Sequence, residues 1–286
     1  MAEIRLIRRR IQSVKSIAKI TRAMEMVATS KMRRAQERGL AGRPYSDKIR
    51  QVIADLAALP QTEHVLHPLL QRREPGNVIV LHVTPDRGLC GGLNAAVNRN
   101  AASFILGQKV KPGIVCVGRK GTDFMKRTGQ DIKAVFTGMG DYPGFLDTVP
   151  ISKIVIDEYS AGNVDAVYLS YTQFVSTMVQ KPVVKALLPV EPATLPQAQN
   201  VDYIYEPDPA GVLSGLLPRF VEMEVYHAIL EAIASEQSAR MVAMRSATDN
   251  AQGLVDDLTL EYNKARQESI TKELLDIAGG VAALAD

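Results

Sequence analysis

Stepping alternately by four and three from Leu216 lands on Phe220, Met223, His227, Leu230, Ala234, Gln237, Met241, Met244, Thr248, Ala251, Val255, Leu258, Tyr262, Ala265 and Ser269. A repeat of 3.5 residues, mostly apolar or small and kept for more than seven heptads, predicts a coiled-coil seam far longer than a globular helix needs. No proline follows Pro218. A continuous helix from Gly211 to Asp286 would be about 110 Å long at ~1.5 Å per residue. Such a rod acts as a spacer, a lever or a shaft. Ala, Gln, Thr, Ser and Met occupy many seam positions where a permanent coiled coil would carry Leu, Ile or Val. Small residues allow close approach and methionine adapts to irregular surfaces. Two readings follow: an imperfect structural coiled coil, or a rod whose surface slips against a changing partner.

The N-terminus supplies a companion helix. Ile4, Ile7, Ile11 and Val14 form a stripe that the apolar residues continue through Ile17, Ile20, Met24 and Val27, with a local change of register where two steps of three follow one another. Helix potential extends to about Leu59, weakened by Gly39, Gly42 and Pro44, and the proline is expected to kink or divide it. Two long helices at opposite ends of one chain imply an antiparallel pair with an inserted domain. The expected organisation is an N-terminal shaft helix over 1–59, an α/β domain over 75–205 and a C-terminal shaft helix over 208–286 that projects beyond its partner.

Composition fits a soluble, intracellular chain. No run of eighteen uncharged apolar residues is present, so no transmembrane helix is expected. Charges at Glu3, Arg5, Arg8, Arg9 and Arg10 break up any signal-peptide stretch. Cys90 and Cys116 are too few and too far apart for a disulfide framework or zinc cluster and read as core fillers; His64 and His67 lack the neighbours a metal site needs. Residues 1–40 hold eleven Lys or Arg against three Glu, a net +8, whereas 250–286 hold three Lys or Arg against seven Asp or Glu, a net −4. The basic excess invites a nucleic-acid reading. Without interleaved aromatics, and with no Trp at all, an acidic protein surface is the better partner.

The middle alternates. Strands are expected at Asn77–Thr84, Gly113–Gly118, Lys133–Phe136, Asp165–Phe174 and Val179–Val190, with helices at Gly91–Leu106, around Arg119–Arg127 and at Pro150–Ala161. Strand–helix alternation means parallel βαβ units in a Rossmann-like α/β domain, and the last two strands read as an antiparallel hairpin. After the first strand comes a glycine-rich turn, Pro85-Asp86-Arg87-Gly88-Leu89-Cys90-Gly91-Gly92-Leu93-Asn94. It lacks the Lys-Ser/Thr of a P-loop and the GxGxxG spacing, and the second strand ends at Val117-Gly118-Arg119 without an acid for a ribose. A structural turn is favoured over a nucleotide site. No cofactor, metal or catalytic constellation is expected.

Along essentially its full length the chain resembles the gamma subunit of F-type ATP synthases. The likeness rests on IRLIRRRIQSVKSIAKITRAMEMVATSKMRR at Ile4–Arg34, DRGLCGGLN at Asp86–Asn94, RMVAMRSATDNA at Arg240–Ala251 and YNKARQESITKEL at Tyr262–Leu274. One departure is Gly279-Gly280, where the family usually reads Gly-Ala. The resemblance implies a central rotor shaft without an active site of its own, one copy per complex. It would stand inside an alpha–beta hexamer, rest with epsilon on the membrane ring of c subunits, and couple proton-driven rotation to ATP synthesis or hydrolysis at the beta subunits. Membrane contact would run through the c-ring alone, at the cytoplasmic face of a bacterial plasma membrane, with no nucleic acid involved. Arg8, Arg9 and Arg10 with Lys15, Lys19 and Arg22 give the lower shaft a basic collar expected to face acidic levers on beta; the resemblance places Met24 beside a stator contact there, and Arg240, Gln267, Thr271 and Glu273 in an upper latch. The apolar end, with Ile277, Val281 and Leu284, would turn as a bearing in an apolar sleeve. The competing readings are a dinucleotide-dependent enzyme with a coiled-coil arm, and a freestanding coiled-coil adaptor for nucleic acid or a membrane surface.

Overall fold

The computed structural model describes residues 2–58, 67–74, 76–190, 205–206 and 208–285. His64 and Leu59 lie outside them. The elements are α1 (Ala2–Ala58), β1 (Val78–Val83), α2 (Leu93–Leu106), β2 (Gly113–Val117), α3 (Arg119–Arg127), β3 (Asp131–Phe136), α4 (Phe145–Ser160), β4 (Ala166–Phe174), β5 (Gln180–Leu188) and α5 (Pro209–Ala285), with a short 3-10 turn at Pro68–Leu70. The chain divides into two compact units: 1–28 with 240–286, and 29–239. Both long helices contribute to both.

In the larger unit one five-stranded sheet has the order β3-β2-β1-β4-β5, with β1 to β4 parallel and β5 antiparallel to β4. Every residue of β1 and β2 is buried, as expected of parallel strands covered on both faces. Alternation sorts them. Val80, Ile114 and Cys116 face α2 and α3, packing with Ala101, Ile105 and Met125. Ile79, Leu81, Val83, Val115 and Val117 face the other way, toward Ile151, Val155 and Tyr159 of α4, Ile49 and Ile53 of α1, and Leu217, Val221, Val225 and Ile229 of α5. The long helices therefore complete the domain's own core. Burial pushes the Cys116 thiol up to about 11, which leaves it an inert core filler.

Pro44 does not divide α1, which is helical from Ala2 to Ala58. The lost backbone hydrogen bond is outweighed locally. Ile49 and Ile53 are buried on one side of the proline and Ala35 on the other, and Ser46 hydrogen-bonds Nε2 of His227 at 2.7 Å. Arg50 pairs with Glu224 one turn further on. Since the α5 partner number falls as the α1 number rises, the helices run antiparallel here.

In the smaller unit the α5 register holds. Between Met244 and Ser269 the buried and half-buried positions are Met244, Thr248, Ala251, Val255, Leu258, Tyr262, Ala265 and Ser269, with Ala247 the one addition. The α1 stripe needs a correction. Its buried or half-buried positions are Ile4, Ile7, Ile11, Val14, Ala18, Thr21, Met24 with Glu25, and Ala28, an unbroken alternation of three and four. Ile17, Ile20 and Val27 are 49, 59 and 53% exposed, so the change of register does not occur. Position on the helix, rather than apolarity, selects the seam. Small Ala18 and Ala28 let the helices approach, and the hydroxyls of Thr21 and Thr248 meet at 2.7 Å. The glycines at 279 and 280 leave α5 helical to Ala285.

Candidate functional site

Two places could carry function: the crevice at the carboxyl ends of the parallel strands, and the exposed surface of the smaller unit. Ligands of open α/β sheets bind at such crevices. This one encloses about 350 Å³ between the loops after β1, β2 and β3, and α5 contributes Ile229, Ile233 and Glu236 to its wall.

At the N-terminus of α3 the backbone donors that a phosphate would need are already taken. At the start of α3, Arg119 N donates to Asp86 Oδ1 at 2.8 Å, Lys120 N to the Pro85 carbonyl at 3.1 Å and Gly121 N to Thr84 Oγ1 at 2.8 Å. Gly138 N donates to Asp86 Oδ2 at 2.9 Å. Asp86 thus places an internal carboxylate where a helix N-terminus would otherwise attract an external anion. In the glycine-rich turn, Leu89 (φ +62°) and Gly91 (φ +58°) are left-handed, and Asn94 closes the loop by donating to the Arg87 carbonyl at 3.3 Å. The turn's left-handed residues shape the backbone between β1 and α2, and its glycine spacing is not that of GxGxxG. Among the described residues no group of three His, Cys, Asp or Glu could hold a metal ion. His67 has a local structural role, its Nδ1 accepting from Leu69 N at 3.3 Å.

On the side of the sheet that faces α2, β1 carries a fully buried histidine. His82 Nε2 donates to Asn98 Oδ1 at 2.9 Å and Nδ1 accepts from Ser170 Oγ at 3.1 Å. Burial lowers its pKa to about 4, against a smaller upward pull from Asn98. The folded value lies below the unfolded one, near 6.5, so the unfolded chain binds the extra proton. Stability is therefore full above about pH 6.5 and falls as pH drops toward 4, by roughly 3 kcal/mol at about 1.4 kcal/mol per pKa unit. Denaturant unfolding at pH 7 and pH 4.5 checks this. Replacement His82→Gln should remove most of the difference, and an equally steep pH dependence in that variant would rule out His82 as its source.

All the stator positions expected from sequence lie in the smaller unit, α1 supplying Arg8, Arg9 and Met24 and α5 supplying Arg240, Gln267, Thr271 and Glu273. Arg8, Arg9, Gln267, Thr271 and Glu273 are exposed, off the buried stripes; Met24 and Arg240 are half-buried. Glu273 accepts from Ser269 Oγ one turn back at 3.4 Å. Ile277 is exposed, with Leu274 and Leu275 beside it. Val281 and Leu284 belong to the same helix, with side chains outside the described set. Sequence reasoning missed a further apolar group. Leu6, Ile17, Ile20, Met26 and Val27 of α1 and Leu254, Leu260 and Ile270 of α5 are all exposed. The signal was available: each falls outside a strict three-four stripe.

Residues 3–284 match the family model described as ATP synthase. An ATP synthase gamma chain of Dehalococcoides mccartyi strain 195 is 65% identical over 285 residues, covering 100% of both chains. This chain belongs to the ATP synthase gamma-chain family. A gamma chain of Roseiflexus castenholzii is 52% identical over 289 residues, again with 100% of each covered. Among solved structures, a chain of the central stalk and c-ring of Tetrahymena thermophila mitochondrial ATP synthase is similar at 25% identity and a TM-score of 0.61, covering 80% of this chain and 99% of that one. A chain of Euglena gracilis mitochondrial ATP synthase shares the fold at 20% identity and a TM-score of 0.65, over 99% and 95% of the two chains.

Proposed function

We infer that this chain is the central rotor shaft of an F-type ATP synthase, coupling rotation of the c-ring to catalysis at the beta subunits, with no catalytic site of its own. The single observation that carries this is end-to-end membership of the gamma-chain family at up to 65% identity with the relatives given above. The helix pair supports it physically. Its interface is a continuous seam, yet its outside carries apolar side chains that water would leave exposed. A housing around the shaft would cover them without fixed partners, since apolar contacts are non-directional. The partners are the alpha–beta hexamer, the epsilon subunit and the c-ring, and the place of work is the cytoplasmic face of a bacterial plasma membrane, reached through the ring. Observing rotation of a probe on this chain inside an alpha–beta hexamer supplied with ATP tests the reading; a chain that neither enters the hexamer nor turns would refute it.

Within this reading Arg8, Arg9 and Met24 form a lower collar facing acidic levers on beta, where charge acts across several rotational positions. Arg240, Gln267, Thr271 and Glu273 form an upper latch of hydrogen bonds made and broken during each turn. The end of α5, with Ile277, Val281 and Leu284, is a low-friction bearing. The collar is tested by Met24→Lys. The half-buried methionine can be replaced by a lysine stem whose ammonium reaches water, so folding changes little. ATP-driven proton pumping per ATP hydrolysed, measured on the membrane-reconstituted complex, should fall by roughly tenfold, as expected when an unpaired charge at a contact costs about 1.4 kcal/mol. Pumping that stays proportional to hydrolysis would remove Met24 from the collar.

A further inference from the structure

Within the larger unit, the segment Thr137–Gly144 leaves β3 and reaches both long helices before α4 begins. Gly138 and Gly140 take left-handed conformations, φ +77° and +74°, that let it turn. Asp86 anchors its base through Gly138 N. At its centre, Asp141 is shared. Its Oδ2 accepts from Lys31 Nζ of α1 at 2.7 Å, and its Oδ1 accepts from Gln237 Nε2 of α5 at 3.1 Å. Gln237 is 1% exposed, and Lys31 and Asp141 keep only about a quarter and a third of their side-chain surface. The next residue, Tyr142, lies against the guanidinium groups of Arg34 and Arg38, 5.6 and 5.4 Å from its ring centre, and Arg38 makes a long hydrogen bond to the Pro143 carbonyl. Lys31, Arg34 and Arg38 are three and four residues apart, so they share one face of α1. At the far end Phe145 packs edge-on against Tyr226 of α5, with ring centres 5.8 Å apart.

Apolar packing between two helices resists separation more than it resists rolling, because dispersion and burial have no preferred direction. A carboxylate with one oxygen committed to each helix is different. It fixes both helices in rotational phase against a third body, the sheet, through bonds that are partly shielded from water and charge-assisted. We propose that the strap 137–144, centred on Asp141, is a torsional brace: it sets the stiffness with which rotation of the α/β domain is passed to the two shaft helices. Asp141, Lys31 and Gln237 are positioning residues in this role, which rests on the rotor reading.

The test uses the full chain in its alpha–beta complex, with a bead attached through Lys109→Cys on the exposed loop between α2 and β2. The readout is the angular variance of the bead during the pause before ATP binds. Asp141→Ala should raise that variance about twofold or more, as expected when a local restraint is lost and the fold is kept. The charge-exchanged pair, Lys31→Asp with Asp141→Lys, should bring it back toward the parent value. If Asp141→Ala fails to fold, Lys31→Met and Gln237→Leu, each removing one of the two bonds, should give smaller increases. Parent-like variance in the single variants, or an exchanged pair as loose as Asp141→Ala, would overturn the brace. A parent chain that does not enter the complex or turn would instead refute the rotor reading.

Discussion

Replacing Gly118 with alanine should unfold the α/β domain at a cost of about 4 kcal/mol or more, among the largest effects a single methyl can have. Gly118 sits at φ +96°, and a Cβ there would overlap the Thr84 carbonyl and its hydroxyl, far inside van der Waals contact. The collision has no soft side, because the first atoms met are backbone. The same point sutures three strand ends. Gly118 N donates to the Phe136 carbonyl at 2.7 Å, Thr84 N donates to the Val117 carbonyl at 2.8 Å, and Thr84 Oγ1 receives Gly121 N. Moving Thr84 to make room would break the bonds that join the ends of β1, β2 and β3. Gly129→Ala separates the two causes. Gly129 is also left-handed, φ +66°, with nothing within 4 Å of its missing Cβ, so its alanine should cost only about 1 kcal/mol of backbone strain. Denaturant unfolding of both variants checks the prediction. Equal losses would mean that conformation alone, and not the collision, makes Gly118 indispensable.

The second large effect is expected in the seam. Val255→Asp should cost the smaller unit about 3 kcal/mol and open it locally. Val255 is 4% exposed, and the described apolar core of this unit is thin: Ile7, Ala28, Met244, Ala251, Val255 and Leu258 are its buried hydrophobic members. A carboxylate at that position either stays ionised without water or takes up a proton, and both outcomes weaken the pair. Amide hydrogen exchange over 4–28 and 244–269 should accelerate strongly. Leu254→Asp, one residue earlier, is the control. Leu254 is exposed, so a charge there should shift stability by less than about 0.5 kcal/mol in the isolated chain. Similar exchange in the two variants would show that the seam does not run where its period places it.

Much of this architecture was legible because it is periodic. The α5 seam from Met244 to Ser269 was readable from spacing, even though its residues are small or polar. The sheet was readable because buried parallel strands appear as short apolar runs between glycines, and α3 falls at Arg119–Arg127 where the sequence put it. The α1 stripe was misread for a related reason. Ile17 and Ile20 look like seam residues by composition, whereas Ala18 and Thr21 are seam residues by position. Pro44 reads as a residue that kinks or divides α1, and the helix is not divided: buried neighbours on either side hold it through the proline.

What the sequence determines by itself is the set of elements, their order, the inserted α/β domain and, through four separated motifs, the family. Each of these is written in local patterns or in residues near one another along the chain. What tertiary structure decides is which distant polar groups meet. Asp141 is separated by 110 positions from Lys31 and by 96 from Gln237, and no spacing rule joins them. Asp86 reads as a turn residue until the fold brings it to the first amide of α3 and to Gly138 N, 33 and 52 positions away. A hydrogen bond requires atoms placed to within a few tenths of an ångström, whereas hydrophobic burial requires only the right face. The pattern of faces survives in one dimension, and the meeting of single polar atoms exists only in three.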